Sequence, residues 1–468
     1  MATPALPGES PFPHGVLLRT LTLITRTNAP EGLHMMSTSP VYVEKPSLLS
    51  FNKSTAIALV AISLMLVETF NGALRFYLDQ AGISVLLYAP KIACLLFFAL
   101  ELRSFKAGPG VWLSLLVLLL SAGWAALNGA QAGNFAFALY GISPLLFGIA
   151  CGDQIIRHKR LFMWAIAFCL LASLGGIALD RYVSLPWKGY SYTVGGTELS
   201  ANTAWTSEDM DRPAGFARIS SSLAIIISVL SLYLMATLRS KLLGLTVCVI
   251  GFAGVILTTS KAPALAFIGG TGLLLMMRFR WTARATILVA VVLGMSLPFV
   301  AMMTDFDPNK ISATSSLASI YDRLINTWPN VIRTLMDDDR TFTGVGFGLV
   351  GSAVAAFPVP GADIFMVSDS TVVYLWATFG LAGLFLYALH IPLFFILADS
   401  ASRYGQALLV TGFCICIVSW TTDTLEVTLA NMFLGMAIGH ALAMKSRGRL
   451  PAPKPHEVPT WNGLPGLS

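Results

Sequence analysis

The chain has 468 residues, 55% hydrophobic and 12% charged, with a net charge of +6 and a mean hydropathy of +0.72. Soluble domains carry about twice that charged fraction, so an ordinary soluble globular protein is excluded. The basic excess gives no nucleic-acid signal either, because it is scattered over short loops between apolar runs.

Residues 1–50 are rich in Pro, Ser and Thr and lack a helical period, which predicts a disordered cytoplasmic N-terminus. The run from Leu17 to Ile24 is too short for a signal peptide and has no cleavage pattern, and Met35 and Met36 offer alternative starts. Twelve apolar stretches follow, at about 54–70, 82–100, 111–129, 135–151, 160–179, 217–237, 241–258, 262–277, 284–303, 371–397, 404–421 and 425–443. The expected fold is therefore an all-α polytopic membrane protein, with residues 51–444 as its transmembrane domain. The tail 445–468 is basic, then Pro-rich, and is expected to be disordered.

Charge alternates along this series. Arg103, Arg157, Lys159, Arg239, Arg278, Arg280, Arg403 and Lys445 fall in alternate connections, which places those connections and both termini in the cytoplasm by the positive-inside rule. Two long polar loops, 180–216 and 304–370, then face outward. They hold five acidic against three basic residues and eight against four. In the second, Leu317, Ile320, Tyr321, Leu324 and Trp328 recur at helical spacing, Pro329 is expected to end that run, and a short helix is expected over 330–337. The six cysteines lie in or beside apolar runs, so they imply neither an exported disulfide nor a metal cluster.

Few residues in so apolar a chain can do chemistry. Lys91 lies midway through the second stretch and Glu68 at the outer end of the first; intramembrane charges usually face a cavity or each other, and Lys91 could also attract a polyprenyl diphosphate. Arg212-Pro-Ala-Gly-Phe216 leads into a span. Arg212 is either a snorkelling anchor or a guanidinium aimed at phosphate oxygens. Lys261, in Thr258-Thr-Ser-Lys-Ala262, either reaches water or completes an anion site at a helix start. Arg323 and Arg333 follow on the amphipathic loop segment. The glycines of Thr343-Gly-Val-Gly-Phe-Gly348 are either a flexible turn or a close backbone approach to a ligand; without a preceding strand they are no dinucleotide fingerprint. Asp369 is either a helix N-cap or the outer carboxylate that serves as a base, with Asp423 and Glu426 competing for that role. His390 reads as a packing residue.

These outer motifs, in this order from Arg212 to Gly383, resemble the O-antigen ligase and polymerase superfamily. The resemblance rests on Arg212-Pro-Ala-Gly-Phe, on Thr258-Thr-Ser-Lys-Ala where the family usually has Ser-Arg-Gly, and on Tyr321-Asp-Arg-Leu with Trp328. It continues through Gly344-Val-Gly-Phe-Gly to Asp369, Tyr374-Leu and Phe379-Gly-Leu-Ala-Gly383. It implies a glycosyltransferase that needs no metal or other cofactor and takes a glycan from a polyprenyl diphosphate carrier at the outer face of the bacterial inner membrane. Its cations, here Arg212, Lys261, Arg323 and Arg333, would hold the diphosphate. Membrane lipids, a flippase and a chain-length regulator are the implied partners, with no nucleic acid. Ligases of this family carry an outer histidine before the span that follows the large loop. Here that region reads Val367-Ser-Asp-Ser-Thr371, which points toward a repeat-unit polymerase of exopolysaccharide or O-antigen rather than a ligase. A lipid-linked glycan flippase or another twelve-span transporter is the remaining class.

Overall fold

The computed structural model describes residues 52–102, 108–194, 197–203, 205–207, 210–304, 306–307 and 317–447. The expected disorder of residues 1–50, and of the tail beyond residue 447, lies outside the described residues. The chain begins with α1 (Lys53–Thr69) and α2 (Asn71–Gln80), which meet at 88° across Phe70. A 3₁₀ turn at Ser84–Tyr88 runs directly into α3 (Ala89–Leu102). Next come α4 (Pro109–Leu127), α5 (Ala132–Arg157) and α6 (Lys159–Tyr182).

Two antiparallel hairpins occupy the first loop: β1 (Ser191–Val194) with β2 (Thr197–Ser200), and β3 (Trp205–Ser207) with β4 (Met210–Arg212). Neither was expected, because the paired segments are too short to show a period against their polar surroundings. The chain re-enters with α7 (Ser220–Thr237), α8 (Lys241–Leu257), α9 (Lys261–Met276) and α10 (Arg280–Met303). The second loop carries α11 (Ala318–Asp322), α12 (Trp328–Asp337) and α13 (Ser352–Ala356). It is followed by α14 (Thr371–Phe379), α15 (Leu381–Ala388), α16 (His390–Ala398), α17 (Arg403–Val418) and α18 (Thr428–Arg447).

Among the described residues, seven helical segments are long and apolar enough to cross a membrane, or eight when the bent α1–α2 pair counts as one. This is a multi-pass membrane protein. Each of the twelve apolar stretches has a helix on it, but α8, α9 and α17 are only 16–17 residues long. α7 and α17 lie at the centre, buried along almost their whole length. Lipid tails give helices no hydrophobic reason to associate, so close packing must do it. At the crossing of α5 and α18, Gly148 and Gly152 face Gly435 and Gly439; a Cβ on Gly435 would lie 2.2 Å from the Leu145 carbonyl oxygen. Only glycine permits that approach.

The expected single span 371–397 is three helices. Gly380, at φ 61°, breaks it, and a Cβ there would lie 2.0 Å from the Phe342 carbonyl oxygen. Into this break fits the glycine-rich turn of the second loop: Val345 N–H donates to Ala377 O at 2.7 Å, and Trp124 Nε1 donates to Gly344 O at 3.0 Å. The turn is buried from Gly344 to Gly351, so its glycines serve backbone-to-backbone packing within the protein.

Pro329 does not end the amphipathic run. Residues 323–327 form a π turn, in which Trp328 N–H reaches Arg323 O five residues back, and α12 continues through the proline at its first turn. Proline lacks the N–H that a regular ladder needs, and it is tolerated where a new helical register starts. α12 then buries Trp328, Val331, Ile332 and Leu335 with Val345, Leu349 and Phe365 in a core shared with Ala125 of α4, Ala301 of α10 and Val373 and Trp376 of α14. Outside a bilayer the alternative is water, and each such side chain contributes about 1.5–3 kcal/mol. The loop is thus a folded cap over the helix ends.

Candidate functional site

Contacts sort the helix ends into two faces. One holds Arg284 with Asp399 at 2.9 Å, the Lys53–Glu101 ion pair, and Arg403 donating to Leu238 O. Both long loops meet on the other.

Arg212 ends β4, opposite Trp205, and its position is fixed by the turn after it. Asp180, near the end of α6, accepts the N–H groups of Ala214 and Gly215 at 2.8 and 3.0 Å. Trp187 Nε1 donates to Gly215 O at 2.8 Å, and Gly72 N–H donates to Phe216 O at 2.9 Å. Gly215 stands at φ 57°, against Gly176 of α6. A guanidinium on a turn held from three elements is pre-organised.

That guanidinium donates from Nε to Thr259 Oγ1 at 3.0 Å and from an Nη to Thr259 O at 3.3 Å. Thr259, in the turn between α8 and α9, has φ 57°, a conformation that costs a β-branched residue roughly 1–3 kcal/mol. Burial, and after it the nearby Arg323 guanidinium, lower the pKa of Arg212 below its ordinary value.

Arg323 comes from the π turn. It donates to Ser319 O at 3.1 Å and Ser319 Oγ at 2.6 Å, and its Nε lies 3.2 Å from Asp369 Oδ2. Asp369 is itself left-handed, at φ 47°. Thus each of the two arginines rests on a residue held in an unfavourable backbone conformation.

Around Asp369 several buried polar atoms have no hydrogen-bond partner within the protein: Ser368 Oγ, Ser370 Oγ and Asp423 Oδ2. Such atoms cost free energy unless something completes them. Asp423 lies in the turn between α17 and α18, with Oδ1 accepting from Leu425 N–H at 3.1 Å. Burial, then the neighbouring Glu426 carboxylate, and less strongly Asp369, push its carboxyl well above the usual carboxylate range. Glu426 accepts from Ser352 N–H and Oγ at the start of α13. A carboxyl whose pKa is raised in this way holds its proton to higher pH than an ordinary carboxylate and, once deprotonated, is a stronger base.

Residues 246–388 match the protein-family model described as O-antigen ligase. The chain carries a domain of the O-antigen ligase/polymerase superfamily. No curated protein matches it. The O-antigen ligase-type segment contributes Thr259, Lys261, Arg323, Arg333 and Asp369, whereas Arg212, Lys91 and Asp423 come from outside it.

Of the residues singled out in the sequence, Arg212, Arg323 and Asp369 come together. Lys261 begins α9 beside Thr259 and is exposed. Arg333 stands on the exposed face of α12, opposite its buried residues. Arg340 pairs with Asp338 at 3.7 Å. Lys91 lines a separate cleft with Glu68. His390, against Tyr387 O at 2.7 Å, is a packing residue. Sequence reasoning missed Asp180 and Thr259, which act through hydrogen bonds to the turn and the arginine. An acid at the outer end of an apolar span is a usable signal for the first; the second gives none. Among the described residues, no group of three or more His, Cys, Asp and Glu is arranged to hold a metal ion.

Proposed function

We propose that the chain polymerises polyprenyl-diphosphate-linked glycan repeat units at the outer face of the bacterial inner membrane, without a metal ion. Family membership supports a ligase- or polymerase-type glycosyl transfer. The observation that carries the reading further is the convergence of Arg212 and Arg323, each on a strained partner, beside the high-pKa carboxyl of Asp423.

In this reading twelve spans place both termini in the cytoplasm, with α8, α9 and α17 as short spans. The arginines hold the donor diphosphate, with Lys261 and Arg333 at the margin. The bond between the sugar anomeric carbon and the diphosphate oxygen breaks, and the guanidinium groups stabilise the charge left on the diphosphate. An acceptor hydroxyl forms the new bond to that carbon, and its proton passes to a carboxylate. Asp369 is engaged by Arg323 and positions it, so Asp423 takes the proton. The absence of a histidine from Val367-Ser-Asp-Ser-Thr371 favours polymerase over ligase; the description of the matching family favours ligase and keeps it as the second reading.

A deletion strain separates the readings. A lost polymerase leaves single repeat units on the carrier at the outer leaflet. A lost ligase leaves long chains unattached to their final anchor, and a lost flippase traps single units at the inner leaflet.

A further inference from the structure

A second pair of cations lies outside the site just described, in a cleft at the bend of Phe70. Glu68, Asn71 and Arg75 line it from α1 and α2, Lys91 from α3, Tyr140 from α5 and Thr428 from α18. Arg75 is 8% exposed, and its Nε has no hydrogen-bond partner within the protein. One of its Nη groups donates to Tyr88 Oη at 3.3 Å, and its guanidinium carbon lies 4.1 Å from the centre of the Tyr192 ring. Lys91 Nζ lies 4.5 Å from the centre of the Tyr140 ring. Among the described residues, no ion pair engages either cation, although Glu68 lines the same cleft.

Cations withdrawn from water without a direct ion pair are costly. Ring faces offset part of that cost. An oxyanion would supply the rest, taking hydrogen bonds from the guanidinium and the ammonium. The cleft also has a direction. Leu87 and Pro90 face into it, while Val85 and Leu86 of the same segment are 74% and 58% exposed. A polar interior behind an apolar outer side suits a charged headgroup entering sideways from a leaflet while its tail stays in lipid. The cleft adjoins the site: Thr428 follows Glu426 by two residues, and Glu426 interacts electrostatically with Lys91.

We propose that Arg75 and Lys91 form a second oxyanion site, holding the diphosphate of the acceptor lipid-linked glycan while Arg212 and Arg323 hold that of the donor. The acceptor assignment rests on the polymerase reading, since that reaction joins two lipid-linked glycans. The shared chemistry is an oxyanion, and its other source would be a uronate carboxylate within the glycan.

The test is native mass spectrometry of the full chain in detergent, titrated with farnesyl diphosphate. Two molecules should bind per chain. Arg75→Gln with Lys91→Gln should weaken one of them by about tenfold or more, as the loss of charge-assisted hydrogen bonds predicts. Arg212→Ala should weaken the other, and Lys91→Arg should keep both. Farnesol should not bind, and glucuronate should not displace the diphosphate. If the Arg75→Gln/Lys91→Gln chain melts like the wild type yet still binds two molecules, the second site is wrong and the proposed function is untouched. If Arg212→Ala leaves both bound while the Arg75→Gln/Lys91→Gln variant loses one, the second site stands and the donor assignment fails. If glucuronate alone loses binding in the Arg75→Gln/Lys91→Gln variant, the acceptor-lipid assignment is overturned in favour of a glycan acid.

Discussion

Arg212 hydrogen-bonds through both Nε and an Nη to Thr259, a β-branched residue at φ 57°. Backbone strain of this kind persists only where the surroundings over-determine it. Here Asp180, Trp187 and Gly72 fix the arginine's turn, and the arginine in turn holds the threonine. The guanidinium is thereby presented at a defined place, near the second guanidinium of Arg323.

Arg212→Ala is expected to lower polymer formation by roughly 10²–10³-fold, the usual cost of removing one donor to a developing oxyanion. Arg212→Lys should retain part of the activity, because lysine keeps the charge and loses the bidentate fork. Turnover per mole of membrane protein measures both. Full activity in the alanine variant at matched expression would remove Arg212 from the site.

Thr259→Gly should trade activity for stability. Glycine accepts φ 57° freely, so the thermal midpoint should rise by an amount equivalent to about 1 kcal/mol or more. The lost hydroxyl frees the guanidinium to wander, so turnover should fall. A melting curve and an activity assay on the same preparation decide this; a lower midpoint would mean that Thr259 is not strained.

The pH dependence follows from Asp423. Its pKa is raised by burial, by Glu426 and by Asp369, and Arg323 faces the same group across Asp369. A base must be deprotonated, so activity should be lost as pH falls through this raised pKa, above the ordinary carboxylate range. Because Asp423 and Glu426 interact, the limb reports the pair. The folded state favours protonated Asp423, so for stability the sign is opposite: this group's contribution is present at low pH and is lost as pH rises through its folded pKa. Asp423→Asn should abolish the acid limb together with most of the activity. An unchanged pH profile in that variant would assign the proton to another group.

The orientation can be read with reporter fusions. A fusion near residue 340 should score as exported and one near 280 as cytoplasmic. A cytoplasmic score at 340 would place the whole cap, and with it the arginine site, on the wrong side for a lipid-linked glycan presented at the outer leaflet.

Much of this architecture could be read from the chain because a bilayer leaves few options. Each apolar stretch had to become helix, since no other open segment satisfies its own backbone in lipid. Arg212, Arg323 and Asp369 stood out because charge is rare here, and charge far from a helix end needs a reason. The break at Gly380 was invisible: the sequence is uniformly apolar on both sides, and nothing distinguishes Gly380 from the glycines that simply pack. The first apolar stretch ends at Phe70, but the polar run Asn71–Gln80 gave no sign of the helix it forms. The hairpins of the first loop are too short to announce themselves. Arg333 lies ten residues beyond Arg323, nearly three helical turns on and on the exposed face of α12, so only Arg323 faces Asp369. Asp180 and Thr259 matter through backbone geometry, which composition and periodicity do not encode.

The central claim is that this chain joins one lipid-linked glycan to another. The most direct measurement is chain extension by the purified protein in liposomes, supplied only with polyprenyl-diphosphate-linked repeat units, with a chelator present and no nucleotide sugar. Lipid-linked products of two and more repeat units should be formed by the wild type and lost in Arg212→Ala. Extension that required a divalent metal or a nucleotide sugar would contradict it, as would a protein that extends nothing yet transfers preformed chains to a lipid A core acceptor.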